Sequence, residues 1–291
     1  MIKKILGICI CLLILTSTAH ASDLSAFCAE PHDLSFKTTR FFNTITGFTP
    51  LSHAIANSII KKELTKATGS KGLNAKMQSY SANDLAVGRF KSLRIYGKNL
   101  NFDGVYVSNF EAKTICDFNY IKATPKTITF VDNFLMNYSM TISDEDLRKT
   151  VISEDYLNFL QSLNLKFKGV NLFELKNVDV KLDDDKFYFV LHFDNKMFNY
   201  SMPLNLNLAA NMEVKNGKIT VTEVESCDNN KKINLTKITN LLNLINPLSY
   251  TVDMLGNKNS KLSLNNLNIK GDKLVLDGTI FIPKNSTEIQ K

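Results

Sequence analysis

Histidine, paired cysteines and glycine-rich loops are scarce in this chain, and their scarcity removes most enzyme chemistries at the outset. Of four histidines in 291 residues, only His32, His53 and His192 lie beyond the first 21 positions, and none has the spacing that metal sites use. There is no Gly-x-Ser-x-Gly elbow, no phosphate-cradling glycine loop and no Cys-x-x-Cys pair. The acidic runs Ser143-Asp144-Glu145-Asp146 and Asp183-Asp184-Asp185 lack the spaced oxygen ligands and the glycine of a calcium loop, so they read as a helix cap and a turn. The expectation is a protein without catalytic residues, metal or cofactor. With twelve glycines and six prolines there is also no Pro/Gly/Ser-rich linker, which predicts a single domain over residues 49–283.

What is present at the start is a leader. Lys3 and Lys4 precede an apolar run from Ile5 to Leu15, and Ala19-His20-Ala21 places small residues where a signal peptidase reads. The apolar stretch is about a dozen residues, short of the roughly 20 that span a bilayer. The expectation is an exported protein of the periplasm or cell envelope, cleaved after about Ala21. A partly mobile extension over 22–48 and a disordered tail over 284–291 are expected to flank the domain.

Removal of the two leader lysines leaves 33 basic against 28 acidic residues, a charge of +5. An excess of that size suits peripheral contact with anionic lipid. Without a dense Lys/Arg stripe or a stacking motif it gives no case for nucleic acid. Cys28, Cys116 and Cys227 remain after the leader, which permits one disulfide in any of three pairings and one spare thiol. About 270 residues are enough to bury a large core without such a staple.

The period of the apolar residues then separates helix from strand. Thr49-Pro50 reads as a helix start and Gly69 as its stop. Between them Leu51, Ile55, Ile59 and Leu64 form a stripe, with Lys61, Lys62, Glu63 and Lys66 in the last turns, predicting a long amphipathic helix. Short helices are expected after Ser143, with Asp146 completing a capping box, after Ser153, and after Thr236 up to Asn246-Pro247. Elsewhere the period is 2. Leu204, Leu206, Leu208, Ala210, Met212 and Val214 alternate with polar residues up to Asn216-Gly217, a hairpin turn from which Ile219 and Val221 return.

A weak repeat of bent hairpins emerges from these strands. Leu93 to Phe102 with Val105 to Val107, Phe173 to Val180 with Phe187 to Phe189, and Leu262 to Ile269 with Leu274 to Leu276 share one theme. In the second and third copies the apolar phase slips by one at an asparagine, predicting β-bulges, which bend a sheet. The fold class expected is α+β: a long, strongly curved, mainly antiparallel sheet wrapped around one long amphipathic helix, with a few short helices.

Four segments resemble the LmeA-like phospholipid-binding family of exported bacterial proteins. They are Gly88-Arg89-Phe90-Lys91-Ser92-Leu93-Arg94-Ile95-Tyr96-Gly97, Gly104-Val105-Tyr106-Val107-Ser108, the Met140 to Leu147 entry into a short helix, and the closing Leu274 to Pro283 strand. The resemblance spans Leu51 to Pro283. It implies an envelope protein that binds phospholipid through an elongated curved sheet around a long helix, and it brings no catalytic motif. The Lys/Asn-rich composition and the added residues from Ser22 to Phe48 depart from that family.

A bent sheet with an aliphatic inner face, closed on one side by the helix, leaves room for acyl chains, each methylene contributing about 0.8 kcal/mol. The lining expected is Ile55, Ile59, Leu204, Leu206, Leu208, Leu274 and Leu276, with Lys61, Lys62 and Lys66 at a headgroup rim. The leading expectation is therefore an envelope protein that binds phospholipid or another membrane lipid, and that shuttles it. The alternative is a structural or assembly factor with a filled core and an envelope protein partner. An enzyme acting on lipid or wall polymer is the third, and it lacks a visible nucleophile or acidic pair.

Overall fold

The computed structural model describes residues 24–102, 104–124, 127–162, 173–183, 186–197, 200–227, 235–249 and 261–289. The leader expected over 1–21 lies outside them, as do Asp184, Asp185 and Leu163. The fold is α+β and mainly antiparallel, as the periods predict, and its sheets do not close into a barrel.

Two helices come first, α1 (Lys37–Ile45) and α2 (Phe48–Thr68), and the edge strand β1 (Leu73–Gln78) follows. A short helix α3 (Ala82–Ala86) leads to β2 (Arg89–Phe90), β3 (Ser92–Phe102), β4 (Val105–Thr114), β5 (Asn119–Ala123), β6 (Thr127–Phe130) and β7 (Phe134–Ser143). Helices α4 (Asp144–Val151) and α5 (Glu154–Ser162) precede β8 (Phe173–Asp183), β9 (Lys186–Met197), β10 (Tyr200–Lys215) and β11 (Lys218–Ser226). After α6 (Leu235–Ile245) the chain ends on β12 (Lys261–Lys270), β13 (Lys273–Ile282) and β14 (Thr287–Ile289).

The strands form a six-stranded sheet in the order β1-β3-β4-β7-β13-β12, a four-stranded sheet β11-β10-β9-β8, and a small sheet β14-β6-β5-β2. All three repeated hairpins are present, as β3/β4, β8/β9 and β12/β13. The register slips between Leu175 and Asn177 and between Leu264 and Asn266, the two places where the apolar phase shifts in the sequence. Asn216 and Gly217 both take positive φ, 52° and 74°, which gives the two-residue turn whose twist matches the flanking strands. Ser143 caps α4 with Asp146 in a capping box, so this acidic run is consumed by the helix start. Asp144 adds a link between sheets by accepting from Leu182 N at 2.9 Å.

The inner faces of both large sheets meet in one apolar core that includes Val107, Met140, Leu147, Val178, Phe189 and Leu242. The tip of the β10/β11 hairpin joins the other sheet directly, Leu264 N donating to Gly217 O at 3.0 Å. One defect stands out in this core. Tyr138 is 4 % exposed, lies opposite Gly278 across the β7/β13 ladder, and has a buried hydroxyl with no partner. Burial pushes its phenol well above the ordinary tyrosine range. An unmade buried hydrogen bond costs more than it returns, so Tyr138→Phe is expected to raise stability by about 1 kcal/mol. Urea melts would show this, and a fall would mean that the hydroxyl is bonded.

Three expectations are corrected. In the extension expected over 22–48, the described residues from 24 on are tied to the body: Cys28 is bonded to Cys116, Ser35 is tied to buried Asp84, and 37–45 is helical. The tail contributes a strand, with Thr287–Ile289 pairing antiparallel to Thr127–Thr129. The long helix is not enclosed by a sheet. It starts at Phe48, one residue before the expected cap, behind a left-handed Gly47, ends as predicted at left-handed Gly69, and lies along the free edge of β1.

Candidate functional site

The unpaired edge of β1 decides how α2 sits. An edge strand exposes a row of unbonded backbone groups that a protein must cover, and α2 supplies the partners from one of its faces. Asn57 Oδ1 accepts from Met77 N at 2.7 Å and His53 Nε2 accepts from Ser79 N at 3.0 Å. Lys61 Nζ donates to Asn74 Oδ1 at 2.8 Å. Burial holds the His53 imidazole below its ordinary pKa, which keeps it neutral and able to accept that N–H. Beside this polar seam Ala56, Ile60 and Leu64 pack on the core.

Leu51, Ile55 and Ile59 are left on the outside, each more than half exposed. The i, i+4 stripe read from the sequence therefore divides: Leu64 belongs to the buried face, the other three to solvent. On α1 the same happens with Phe41, Phe42 and Ile45, each above 60 % exposed, and Phe36 stands out just before it. Seven of the thirteen large apolar side chains that are exposed among the described residues fall between Phe36 and Ile59. Scattered single cases are ordinary on a protein surface, and this concentration makes α1 and α2 the candidate contact surface. By sequence the two helices carry Lys37, Arg40, Lys61, Lys62 and Lys66 against Glu63 alone; of these Arg40 turns a buried Nε toward the body and Lys61 reaches Asn74 of β1.

The expected channel lining splits between surface and core. Ile55 and Ile59 are on the surface because the polar seam, not the stripe, faces β1. Leu204 is 37 % exposed, and Leu206, Leu208, Leu274 and Leu276 are buried. Leu206 pairs with Leu191 and Leu208 with Phe189, while Leu276 lies between Met140 and Leu267, so their neighbours are other core residues. Lys61 and Lys62 are exposed on α2, and the Lys66 side chain lies outside the described ones. A cleft of about 560 Å³ lies on the polar outer face of the six-stranded sheet, with Lys76, Arg94 and Lys113 among its lining.

The apolar helices are held to the body by polar contacts that sequence reading missed. Asp84, 1 % exposed, accepts from Ser35 N at 2.7 Å, Ser35 Oγ at 2.8 Å and Ser81 Oγ at 2.6 Å. Burial alone would raise its pKa, but these hydrogen bonds outweigh it and hold the carboxyl below the usual range. His32 bonds Asp132 at 3.0 Å, and that hydrogen bond raises its pKa. Arg89 donates to the Asp33 carbonyl. Helix α1 was not anticipated from the sequence, and the spacing of Phe41 and Ile45, four residues apart, is a signal that points to it.

Catalytic chemistry finds no assembled centre among the described residues. His192 sits in β9 as predicted, with its ring nitrogens 2.8 Å from Asp179 and 2.9 Å from Asn205, and neither partner is a hydroxyl or thiol. No group of three or more His, Cys, Asp or Glu among the described residues is placed to hold a metal, and none of the described helices is long and apolar enough to cross a membrane. No family model, curated protein or solved structure matches the chain.

Proposed function

We propose that this is an exported, non-catalytic protein of the cell envelope that binds phospholipid at a membrane surface. The observation that carries the reading is the pair of exposed apolar faces on α1 and α2, two helices whose sequence holds five cations and one acid. A helix with aromatic and aliphatic residues on one side and lysines beside them is suited to lie in the interface of an anionic bilayer. The Cys28–Cys116 bond supports an oxidising compartment, as does the leader expected over residues 1–21. The resemblance to the LmeA-like family points to the same ligand. In the fuller form of this proposal the sheets curve around acyl chains, with Leu206, Leu208, Leu274 and Leu276 moving apart to admit them and the lipid being carried between membranes.

The test is native mass spectrometry and vesicle co-sedimentation of the chain from Ser22 to Lys291, prepared from a periplasm without detergent. A phospholipid adduct, or sedimentation with phosphatidylglycerol vesicles and not with phosphatidylcholine vesicles, is expected. A clean mass with no sedimentation on either vesicle sinks the reading. One observation favours a second reading, an assembly factor with a protein partner: the inner faces of the two large sheets pack on one another in a continuous core. That reading predicts a clean mass and a stoichiometric copurifying envelope protein.

A further inference from the structure

On the outer face of the six-stranded sheet three cations stand side by side. Lys76 of β1 is directly opposite Arg94 of β3, and Arg94 is directly opposite Lys113 of β4. Side chains so paired have Cβ atoms about 5 Å apart, and like charges in that position destabilise a sheet. One carboxylate relieves the row in part: Glu111 accepts from Arg94 Nη2 at 2.6 Å, which holds its carboxyl below the ordinary range. Lys76 and Lys113 have no carboxylate within ion-pair distance among the described residues. At the end of the row Lys91, whose ammonium lies 5.1 Å from the centre of the Tyr80 ring, lines the same cleft of about 560 Å³. Four cations face two carboxylates, Glu111 and Asp117, across this concave surface. A concave surface with an excess of one sign of charge concentrates counter-ions, and an anion placed between Lys76, Arg94 and Lys113 would relieve their mutual repulsion.

We propose that this cleft is a binding site for a phosphate-bearing anion, held by Lys76, Arg94 and Lys113 with Lys91 closing one end. Arg94, whose Nη2 is held by Glu111, adds its remaining guanidinium N–H donors, and the lysines act as point charges. The chemistry is shared by two sources, the headgroup of an anionic phospholipid and a soluble phosphate. The first rests on the lipid reading given above, the second does not. Because β1 is the strand that α2 covers, a headgroup taken here would belong to a lipid drawn from the surface on which α2 lies.

The experiment titrates the disulfide-bonded chain with inorganic phosphate, with glycerophosphoglycerol and with phosphatidylglycerol vesicles, for the wild type, Lys76→Gln/Lys113→Gln and Lys181→Gln/Lys186→Gln. The last pair is the control, since Lys181 and Lys186 already have Asp183 and Glu225 as partners. Loss of at least about tenfold in affinity is expected for the first double variant and none for the control, because charged hydrogen bonds to phosphate are being removed. Melting curves keep the result clean, as loss of like charges should leave the melting temperature unchanged or higher. Weakened binding of glycerophosphoglycerol and vesicles assigns the site to a lipid headgroup, and weakened binding of inorganic phosphate alone assigns it to a soluble anion. Equal affinity in the folded Lys76→Gln/Lys113→Gln variant and the wild type, or no binding of any probe by the wild type, overturns the proposal. Binding of vesicles and of inorganic phosphate that both survive this variant, with vesicle binding lost in Ile55→Asp/Ile59→Asp, overturns the cleft while leaving the lipid reading intact.

Discussion

Replacing Cys28 and Cys116 together by serine is expected to lower the unfolding free energy by about 4 kcal/mol. The bond spans 88 positions of sequence, and the chain-entropy account of a disulfide makes its effect grow with the loop that it closes in the unfolded state. Cys116 is 2 % exposed, so the serine there adds a polar group in an apolar place. The folded state keeps other ties on the same segment: Ser35 to Asp84, and Phe27 O accepting from Asn133 Nδ2 at 3.1 Å. The variant should therefore fold, with a lower urea midpoint and a steeper slope from a more expanded unfolded chain. Alkylation offers an independent check. Of the three cysteines beyond residue 21 only Cys227 is free and exposed, so a chain from Ser22 should take up one iodoacetamide when native and three after reduction and unfolding. Equal midpoints for the variant and the wild type would show that the staple contributes nothing.

The second large effect is on membrane affinity. Ile55→Asp/Ile59→Asp should weaken binding to phosphatidylglycerol vesicles by about a hundredfold or more, with no fall in melting temperature. Ile55 and Ile59 are 53 % and 57 % exposed, so each offers about half of a side-chain burial of roughly 1.5–3 kcal/mol. Aspartate loses that gain, adds the cost of desolvating a charge and repels anionic headgroups, and 2.7 kcal/mol is about a hundredfold. In the free protein the two isoleucines lie off the core, so the substitution costs little. The neighbouring residue supplies the contrast: Ile60 packs against the core, and Ile60→Asp should destabilise the fold itself by about 3 kcal/mol or more. If Ile55→Asp/Ile59→Asp binds vesicles as the wild type does, α2 is not the lipid-facing element.

Tyr138→Phe probes the fold alone, and the cleft variants probe charge alone. An apolar contact and an anion site are separable because they lie on different elements, the outer face of α2 and the wet face of β1, β3 and β4. Salt separates them as well. Contacts made by Lys76 and Lys113, exposed on the sheet, weaken as ionic strength rises, whereas burial of Leu51, Ile55 and Ile59 does not.

Much of the local chemistry was legible in the sequence. Asn216-Gly217, the bulges beside Asn177 and Asn266, the Ser143/Asp146 capping box and the Gly69 stop are all set by residues within a few positions of one another, and each stands where its pattern places it. Alternation likewise buried Leu206, Leu208, Leu274 and Leu276, because a period of 2 fixes which side chains share a face. What the sequence left open depended on distant partners. Three cysteine pairings were equivalent until the folding of β4 brought Cys116 to Cys28. Helix α2 has apolar residues on two faces, Leu51-Ile55-Ile59 and Ala56-Ile60-Leu64, and no period distinguishes them. The tertiary structure decided between them through the bare edge of β1, whose backbone N–H groups required Asn57 and His53, and that requirement turned the bulkier stripe outward to become the candidate membrane surface.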